Sequence, residues 1–399
     1  MSRPPDPAHL ARWRADTPEV GRLNHLNNAG AALAPLAVRR AVTEYLDREA
    51  ALGAYETAEA SADQIRSASE GVAALIGARG RNIALTQNAT TAFAQAMAAF
   101  DFHPGDRILT SRADYASNQI MYLALARRLG VEVVRIPDAP EGGIDPEALE
   151  REAARRRPAL VALTWVPTNS GLVQPVEAVG AVCRRREVPY LVDACQAVGQ
   201  LEVDVNQVGC DYLSATARKF LRGPRGIGFL YAADRVLDAG AYPITVDMHG
   251  ATWSDPDRFT LTPDARRFES WEISYALVAG VGAAAAYALE VGIPVVAARA
   301  SALAAYARER LADIDGVRVL DRGPALCAIA TAAIAGRDAA SLKLALRARG
   351  INTSAADRED AVIDMDEKGT ASALRISPHY YNTADEIDAA VAVLAELLS

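Results

Sequence analysis

Through the first two-thirds of the chain, short and almost wholly apolar runs alternate with longer segments whose apolar residues recur at helical spacing. The runs are NIALT from Asn82, RILTS from Arg107, VEVVRI from Val131, ALVALTWV from Ala159, YLVDA from Tyr190, DYLSAT from Asp211 and IGFLY from Ile227. A strand covered by helices on both faces has no polar side to show, so continuous apolar runs are what a parallel sheet requires. Between them, SNQIMYLALARRLG and VEAVGAVCRRREV carry the helical period. The pattern predicts an α/β fold with a mostly parallel seven-stranded sheet. Only ARKFLRGPRG separates the last two runs. That is too short for a crossover helix, so one of the two is expected to run antiparallel.

From about Phe268 the pattern changes to alanine-rich helices, followed by the short runs VRVL, ALCAIATAAI and ALRIS. This predicts a smaller α+β domain. The expected division is an N-terminal segment over 1–24, a large domain over 25–267 and a small C-terminal domain over 268–399. Residues 353–372, TSAADREDAVIDMDEKGTAS, are polar and poorly periodic, and are expected to form a mobile loop beside the site. The apolar stretch 273–298 is rich in alanine and interrupted by Glu290 and Pro294. It predicts a buried helix near a subunit or domain contact, not a membrane span.

The formal net charge of −8 over 399 residues argues against a nucleic-acid partner, which would need an excess of basic surface. The run Arg155–Arg156–Arg157 reads as the solvated end of a helix. The four cysteines, Cys183, Cys195, Cys210 and Cys327, form no CxxC pair and have no histidine-rich neighbourhood. They are expected to be reduced thiols of a cytoplasmic protein, with neither a disulfide framework nor a metal site. The N-terminal MSRPPDPAHLARWRADTPEV has no apolar export segment.

In an open α/β sheet, ligands bind beyond the carboxyl ends of the strands. Asp193, Asn169, Thr90 and Lys219 all follow directly on predicted strands there. Each has a plainer role open to it. Asp193 could cap a helix, Thr90 and Thr91 could cap another, Lys219 could be a surface lysine and GPRGIG a simple turn. Their convergence on one sheet edge favours a shared site. A buried lysine is pushed toward its neutral amine, which forms a Schiff base with an aldehyde. Pyridoxal phosphate needs such a lysine, an acid for its ring nitrogen and a phosphate cradle. Lys219, Asp193 and the turn at Thr90 supply these three. A nicotinamide enzyme is excluded, because no GxGxxG follows a strand and opens a helix.

The same stretches resemble the class V aminotransferase family of fold-type I pyridoxal-phosphate enzymes, which includes cysteine desulfurases, isopenicillin N epimerase-like proteins and C–S lyases. NNAGAALAP at 27–35 is similar to the family's N-terminal substrate-site strand, which implies Asn27, Ala29 and Gly30 at the substrate. TQNATTAF at 86–93 resembles its phosphate turn, placing Ala89, Thr90 and Thr91. DACQAVGQLEVDV resembles the segment where Asp193 meets the ring nitrogen and Gln196 the ring hydroxyl. SATARKFLRGPRGIGFLY resembles the Schiff-base segment, with Thr216 and Arg218 toward the phosphate. LRISPHYYNTADEID resembles the motif whose arginine, here Arg375, clamps the substrate α-carboxylate in a bidentate pair. The resemblance further implies Tyr115 stacked on the cofactor and acting in catalysis, and Asn169 at the cofactor or substrate. It puts His249 among the substrate residues, with a structural role equally open to it and to His379. It also implies a homodimer acting on a small amino-acid substrate.

Departures from the family bear on the reaction. Where many members have RFExGT, this chain has RFESWE at 267–272, so Glu272 stands where a threonine would reach a neighbouring subunit's phosphate. The segment from Asn352 to Ser372 has no cysteine to carry a persulfide, and Cys327 is expected to be a buried, inert thiol. C–S β-elimination from an S-substituted cysteine, with Lys219 as base, is the expected reaction. Transamination, decarboxylating or oxidative deamination and epimerisation stay open beside it. So does a non-catalytic binding protein, which the joint presence of Lys219, Asp193, Gln196 and Arg375 disfavours.

Overall fold

The computed structural model describes residues 7–399. The first six residues of the expected N-terminal segment therefore lie outside the described residues. All seven expected runs are strands of one sheet: β1 (Ile83–Thr86), β2 (Arg107–Thr110), β3 (Glu132–Arg135), β4 (Leu160–Thr164), β5 (Tyr190–Asp193), β6 (Tyr212–Thr216) and β7 (Gly228–Ala232). Their order is β1-β7-β6-β5-β4-β2-β3. Strands β2 to β6 are mutually parallel, and β7 runs antiparallel to both β6 and β1, as the short connection requires. β4 to β7 are buried along their whole length, which explains their unbroken apolar runs. The register sets Thr164 beside Asp193 and Asp193 beside Ser214, so the ends of β4 and β5 are level.

A hairpin, β8 (Ala251–Asp255) and β9 (Arg258–Leu261), projects from the body with Trp253 79% exposed. The pattern did not predict it, because neither strand has a buried face to impose an alternation.

The C-terminal part is a four-stranded antiparallel sheet of β10 (Val317–Val319), β11 (Ala330–Ile334), β12 (Ser354–Asp357) and β13 (Ser372–Ile376), in the order β10-β11-β13-β12. Helices Ile293–Ala312, Ala339–Ala348 and Ala384–Leu398 share its apolar cluster. Residues 353–372 are not the expected loop. They form edge strand β12, a 3-10 turn over Arg358–Asp360 and the helix Val362–Lys368. An edge strand and a helix that buries only Met365 need few apolar residues, which is why the sequence shows no period there.

Packing crosses the expected division at residue 267. Helix Tyr275–Val291 packs against helices Leu36–Leu52 and Ala62–Leu75, and its Val278, Val281, Ala284 and Ala285 belong to the core of the large sheet. Gly280 and Gly282 let it approach so closely, since a Cβ would lie 2.6 Å from Val42 Cγ2 and 3.0 Å from Ala68 Cβ respectively. Conversely, Asn24–His25 pairs in parallel with Ile351–Asn352 of the C-terminal part. The apolar stretch expected to be one buried helix breaks at Gly292 into two helices bent by 81°. Among the described residues, no single helix is long and apolar enough to cross a membrane.

Candidate active site

Beyond the carboxyl ends of β4, β5 and β6 lies a cavity of about 520 Å³. Nine of the residues expected at a cofactor line it: Ala89, Thr90, Thr91, Tyr115, Asp193, Gln196, Thr216, Arg218 and Lys219. Lys219 follows β6 and is only 7% exposed. Desolvation lowers its pKa below the ordinary lysine value; Cys195 and Asp193 oppose the shift, and Arg218 and Arg375 add to it. Its chain turns tightly, with Arg222 N donating to Lys219 O at 2.9 Å and Gly223 N to Ala217 O at 2.8 Å. The turn after Gln196 packs directly on this segment. Gly199 has φ +91°, and a Cβ there would collide with the backbone of Phe220 and Leu221.

Asp193 ends β5, and its two oxygens are held apart by their partners. Oδ1 accepts from Cys195 N at 2.9 Å and Oδ2 from Asn118 Nδ2 at 3.0 Å. Gln196 donates through Nε2 to Ala29 O at 3.0 Å and to Thr168 Oγ1 at 3.3 Å, while its buried Oε1 has no partner among the described residues. Tyr115 begins the helix Ala116–Leu129, and its ring centroid lies 5.9 Å from Lys219 Nζ.

The helix Ala89–Met97 opens on the cavity. Its cap is Asn88, whose side chain accepts from Thr91 N at 2.9 Å, so neither Thr90 nor Thr91 is the capping residue. A helix N-terminus with free first-turn N–H groups attracts an anion. Gly228 brings β7 against it, since a Cβ there would lie 2.9 Å from Ala89 N. Arg218 and Arg225 add positive charge to the same cavity. Pyridoxal phosphate fits these residues. The helix start and arginines suit its phosphate, Asp193 its ring nitrogen, the unpaired Gln196 Oε1 its hydroxyl, and the buried amine of Lys219 its aldehyde.

Arg375, on β13, lies just outside the cavity wall. Nη1 donates to Thr168 O at 2.9 Å and Nη2 to Asn27 Oδ1 at 3.2 Å, while its buried Nε has no partner among the described residues. Burial pulls its pKa down to about 10. A buried guanidinium hydrogen-bonded only to neutral groups retains both charge and donor capacity for a carboxylate. Asn27, Ala29 and Gly30 converge here, but Asn28–Ala31 is one turn of helix, not the expected strand. Asn169 also lies outside the wall, donating to Asp364 Oδ2 at 2.5 Å on the helix Val362–Lys368.

His249 is not at this site. Its Nε2 pairs with Glu269 Oε2 at 2.9 Å, which raises its pKa, in a separate cavity lined by Ile65, Ile83 and Val278. Its partner Glu269 also accepts from Leu85 N on edge strand β1 at 2.6 Å, so this cavity lies along the flank of the sheet and not at the ends of β4 to β6. His379 is structural: Tyr380 N donates to its Nδ1 at 3.0 Å and its Nε2 faces Phe220 O at 2.8 Å. Both ring nitrogens are satisfied in the neutral form, and burial lowers its pKa to about 3. Glu272 offers the site's neighbourhood only its backbone carbonyl, which accepts from Gln87 Nε2 at 3.1 Å. Residues not foreseen include Thr168, which serves both Gln196 and Arg375, and Asp114 and Asn118 behind Asp193. The spacing Asp-x-x-x-Asn just after β2 was the available signal, since it stacks the two side chains one turn apart at the ligand edge.

The comparisons with known proteins agree with this geometry. The family model described as aminotransferase class-V matches residues 24–390. The chain is 31% identical over 382 residues to a probable hercynylcysteine sulfoxide lyase of Mycobacterium tuberculosis, covering 95% of this chain and 91% of the relative. It is 29% identical to a probable cysteine desulfurase of Methanothermobacter thermautotrophicus, over 96% of this chain and 97% of the relative. Its fold matches the apo cysteine desulfurase of Thermococcus onnurineus NA1 with a TM-score of 0.89 at 23% identity, covering 100% and 98% of the two chains. With a family match over nearly its whole length and a site suited to pyridoxal phosphate at the expected sheet edge, the chain belongs to the class V aminotransferase family of fold-type I pyridoxal-phosphate enzymes.

Proposed function

We propose that the protein cleaves the Cβ–S bond of an S-substituted L-cysteine, or of its sulfoxide, by β-elimination. A thioether substrate and water give thiol, pyruvate and ammonium; a sulfoxide gives the sulfenic acid in place of the thiol. The observation that carries this reading is the state of the thiols. Cys183, Cys210 and Cys327 are buried in the core, and desolvation raises the pKa of all four cysteines, that of Cys183 and Cys327 to about 12. The segment 353–372, folded as strand and helix, holds none of them. A thiol so disfavoured as thiolate is a poor acceptor for sulfur. The relatives' names divide between cysteine desulfurase and sulfoxide lyase, and only the second chemistry does without a protein thiol.

Bound pyridoxal phosphate supplies an electron sink for the pair left when a bond at the substrate α-carbon breaks. Arg375 holds the α-carboxylate, and its anchors Thr168 and Asn27 fix the substrate's direction. The amine of Lys219 takes the α-proton, and burial, which lowers its pKa, favours the neutral form that can do so. Tyr115, whose ring centroid lies 5.9 Å from Lys219 Nζ, would stack on the bound group and shield it from water.

We also propose a homodimer. Ile244, Met248 and Trp253 are 83%, 70% and 79% exposed, and Phe259 and Trp271 are exposed on the same hairpin region. Such an apolar surface fits a subunit contact. Light scattering should give twice the chain mass, and a monomer at working concentration would refute it.

The function is tested by offering the cofactor-loaded protein a panel of S-substituted L-cysteines and their sulfoxides, with mass-spectrometric product analysis. Pyruvate and the sulfur fragment in equal amounts, abolished in Lys219→Ala, are expected. A keto acid that still carries its sulfur would overturn the lyase reading in favour of transamination.

A further inference from the structure

Behind Asp193, on the side away from the cavity, a second buried carboxylate faces the same amide. Asn118 Nδ2 lies 3.0 Å from Asp193 Oδ2, 3.4 Å from Asp114 Oδ1 and 3.3 Å from Thr164 Oγ1. Asn118, Asp193 and Asp114 are 2%, 4% and 4% exposed. An amide nitrogen carries two hydrogens and a carboxylate only accepts, so Asn118 is the donor that lets two buried acids stand on either side of it.

Asp114 is itself over-determined. Its Oδ2 accepts from Thr110 Oγ1 at 2.9 Å and Gln119 Nε2 at 3.0 Å; its Oδ1 accepts from Tyr115 N at 2.7 Å and from the Thr164 hydroxyl. No lysine, arginine or histidine donates a hydrogen bond to either aspartate among the described residues. The nearest cation in the network, Arg135, reaches only Gln119 Oε1, at 2.9 Å. Asp114 thus does two things at once. It holds the amide of Asn118 in the orientation that meets Asp193, and it holds the backbone N–H of Tyr115, whose ring borders Lys219.

We propose that Asp114 and Asn118 are positioning residues that aim the Asp193 carboxylate at the cofactor's ring nitrogen. With Oδ1 committed to Cys195 N and Oδ2 to Asn118, the carboxylate is fixed in rotation, and its remaining lone pairs are left for the cavity. Asp114, accepting from Asn118, fixes the amide so that its hydrogen meets Asp193. A helix-capping role for Asp114 is the competing account, since it precedes the helix Ala116–Leu129. Capping would affect folding stability and leave the bound cofactor untouched.

The inference rests on Asp193 meeting the ring nitrogen, so Asp193→Asn is measured alongside. Apoprotein is titrated with pyridoxal phosphate, reading the dissociation constant, the position of the visible absorption band and the melting temperature of the apoprotein. Asn118→Leu, which fills the space without donating, should weaken cofactor binding roughly tenfold and shift the band in the same direction as Asp193→Asn. Asp114→Asn should do the same to a smaller degree, and its effect should shrink in the Asn118→Leu background, because the part carried by the amide is already lost there. Asn118→Ser, which retains one donor, should recover part of the loss, and provides the same readings if Asn118→Leu does not fold. An unchanged band and dissociation constant in the Asn118 variants, or an undiminished Asp114→Asn effect in the double variant, would overturn the relay. If Asp193→Asn itself leaves the band unmoved, the assignment of Asp193 falls and the relay falls with it.

Discussion

Arg375 Nη2 donates to Oδ1 of Asn27 across 3.2 Å, although 348 residues separate them in the chain. The contact joins the C-terminal sheet to the first turn of helix after Asn24–His25, and it leaves the guanidinium without a carboxylate partner in its hydrogen bonds. On the proposed function, a substrate carboxylate would be its anion. Arg375→Lys loses the planar fork, and should raise KM for the amino-acid substrate roughly 10–100-fold with a smaller effect on kcat. Asn27→Ala, which removes only one anchor, should raise it a few-fold. Steady-state kinetics on the carboxylate substrate and its amide analogue decide this. Equal losses on both would remove Arg375 from the carboxylate site.

Lys219 makes the apoprotein less stable than it could be. Burial lowers its pKa from the ordinary 10.5, so the unfolded chain binds more protons than the folded one between the lowered value and 10.5. The sign follows: stability from this group is complete above 10.5 and is lost as pH falls through the lowered pKa. Lys219→Met should therefore raise the melting temperature of the apoprotein at pH 7 by roughly 1–3 °C, with the gain fading as pH approaches 10.5. A gain that persists undiminished at high pH would point to packing, not charge.

Cys195 lines the cavity beside Asp193 and Lys219, yet burial and then the neighbouring Asp193 push its thiol pKa upward. A thiol held protonated neither attacks nor carries sulfur. Cys195→Ala should keep C–S cleavage within about twofold of the parent, since it removes only one sulfur atom from a half-buried side chain. Iodoacetamide at neutral pH should label it slowly. A loss of an order of magnitude or more in Cys195→Ala would show that the thiol takes part, and would revive a desulfurase route.

What the sequence made legible is the part of the fold that repeats a strong local rule. β4 to β7 are buried on both faces, so burial itself writes an unbroken apolar run. Lys219, Asp193 and the Thr90 turn were readable because strand ends of one sheet converge by topology. The segment 353–372 was not, because an edge strand and a helix that buries one methionine carry almost no period. His249 was misplaced for another reason: a lone histidine on a loop has no local rule to say which way the loop folds, and its partner Glu269 is distant enough in the chain to be invisible. Asn118 was missed because its partner Asp193 lies on a different strand unit, and nothing local links them.

Arg222 fixes the frame around the turn that carries Lys219. Its residue is in left-handed backbone, φ +62°, and among the described residues its buried guanidinium has no carboxylate hydrogen-bond partner. Instead Nε donates to Leu33 O at 2.9 Å, Nη1 to the Tyr380 hydroxyl and Nη2 to Thr17 Oγ1. The rings of Tyr381, Tyr380 and Tyr287 lie 4.4, 5.3 and 5.8 Å away. Aromatic faces take the place of a counter-ion. One side chain thereby ties the lysine-bearing turn to the N-terminal segment and to the strand-end tyrosines after β13. Arg222→Lys keeps the charge but cannot span three separate acceptors, so the cost should be about 3 kcal/mol and the melting temperature should fall by roughly 3–5 °C. Limited proteolysis should then cut first near Thr17, where the tie is lost. An unchanged melting temperature would mean that the tyrosine cage holds the turn without the cation.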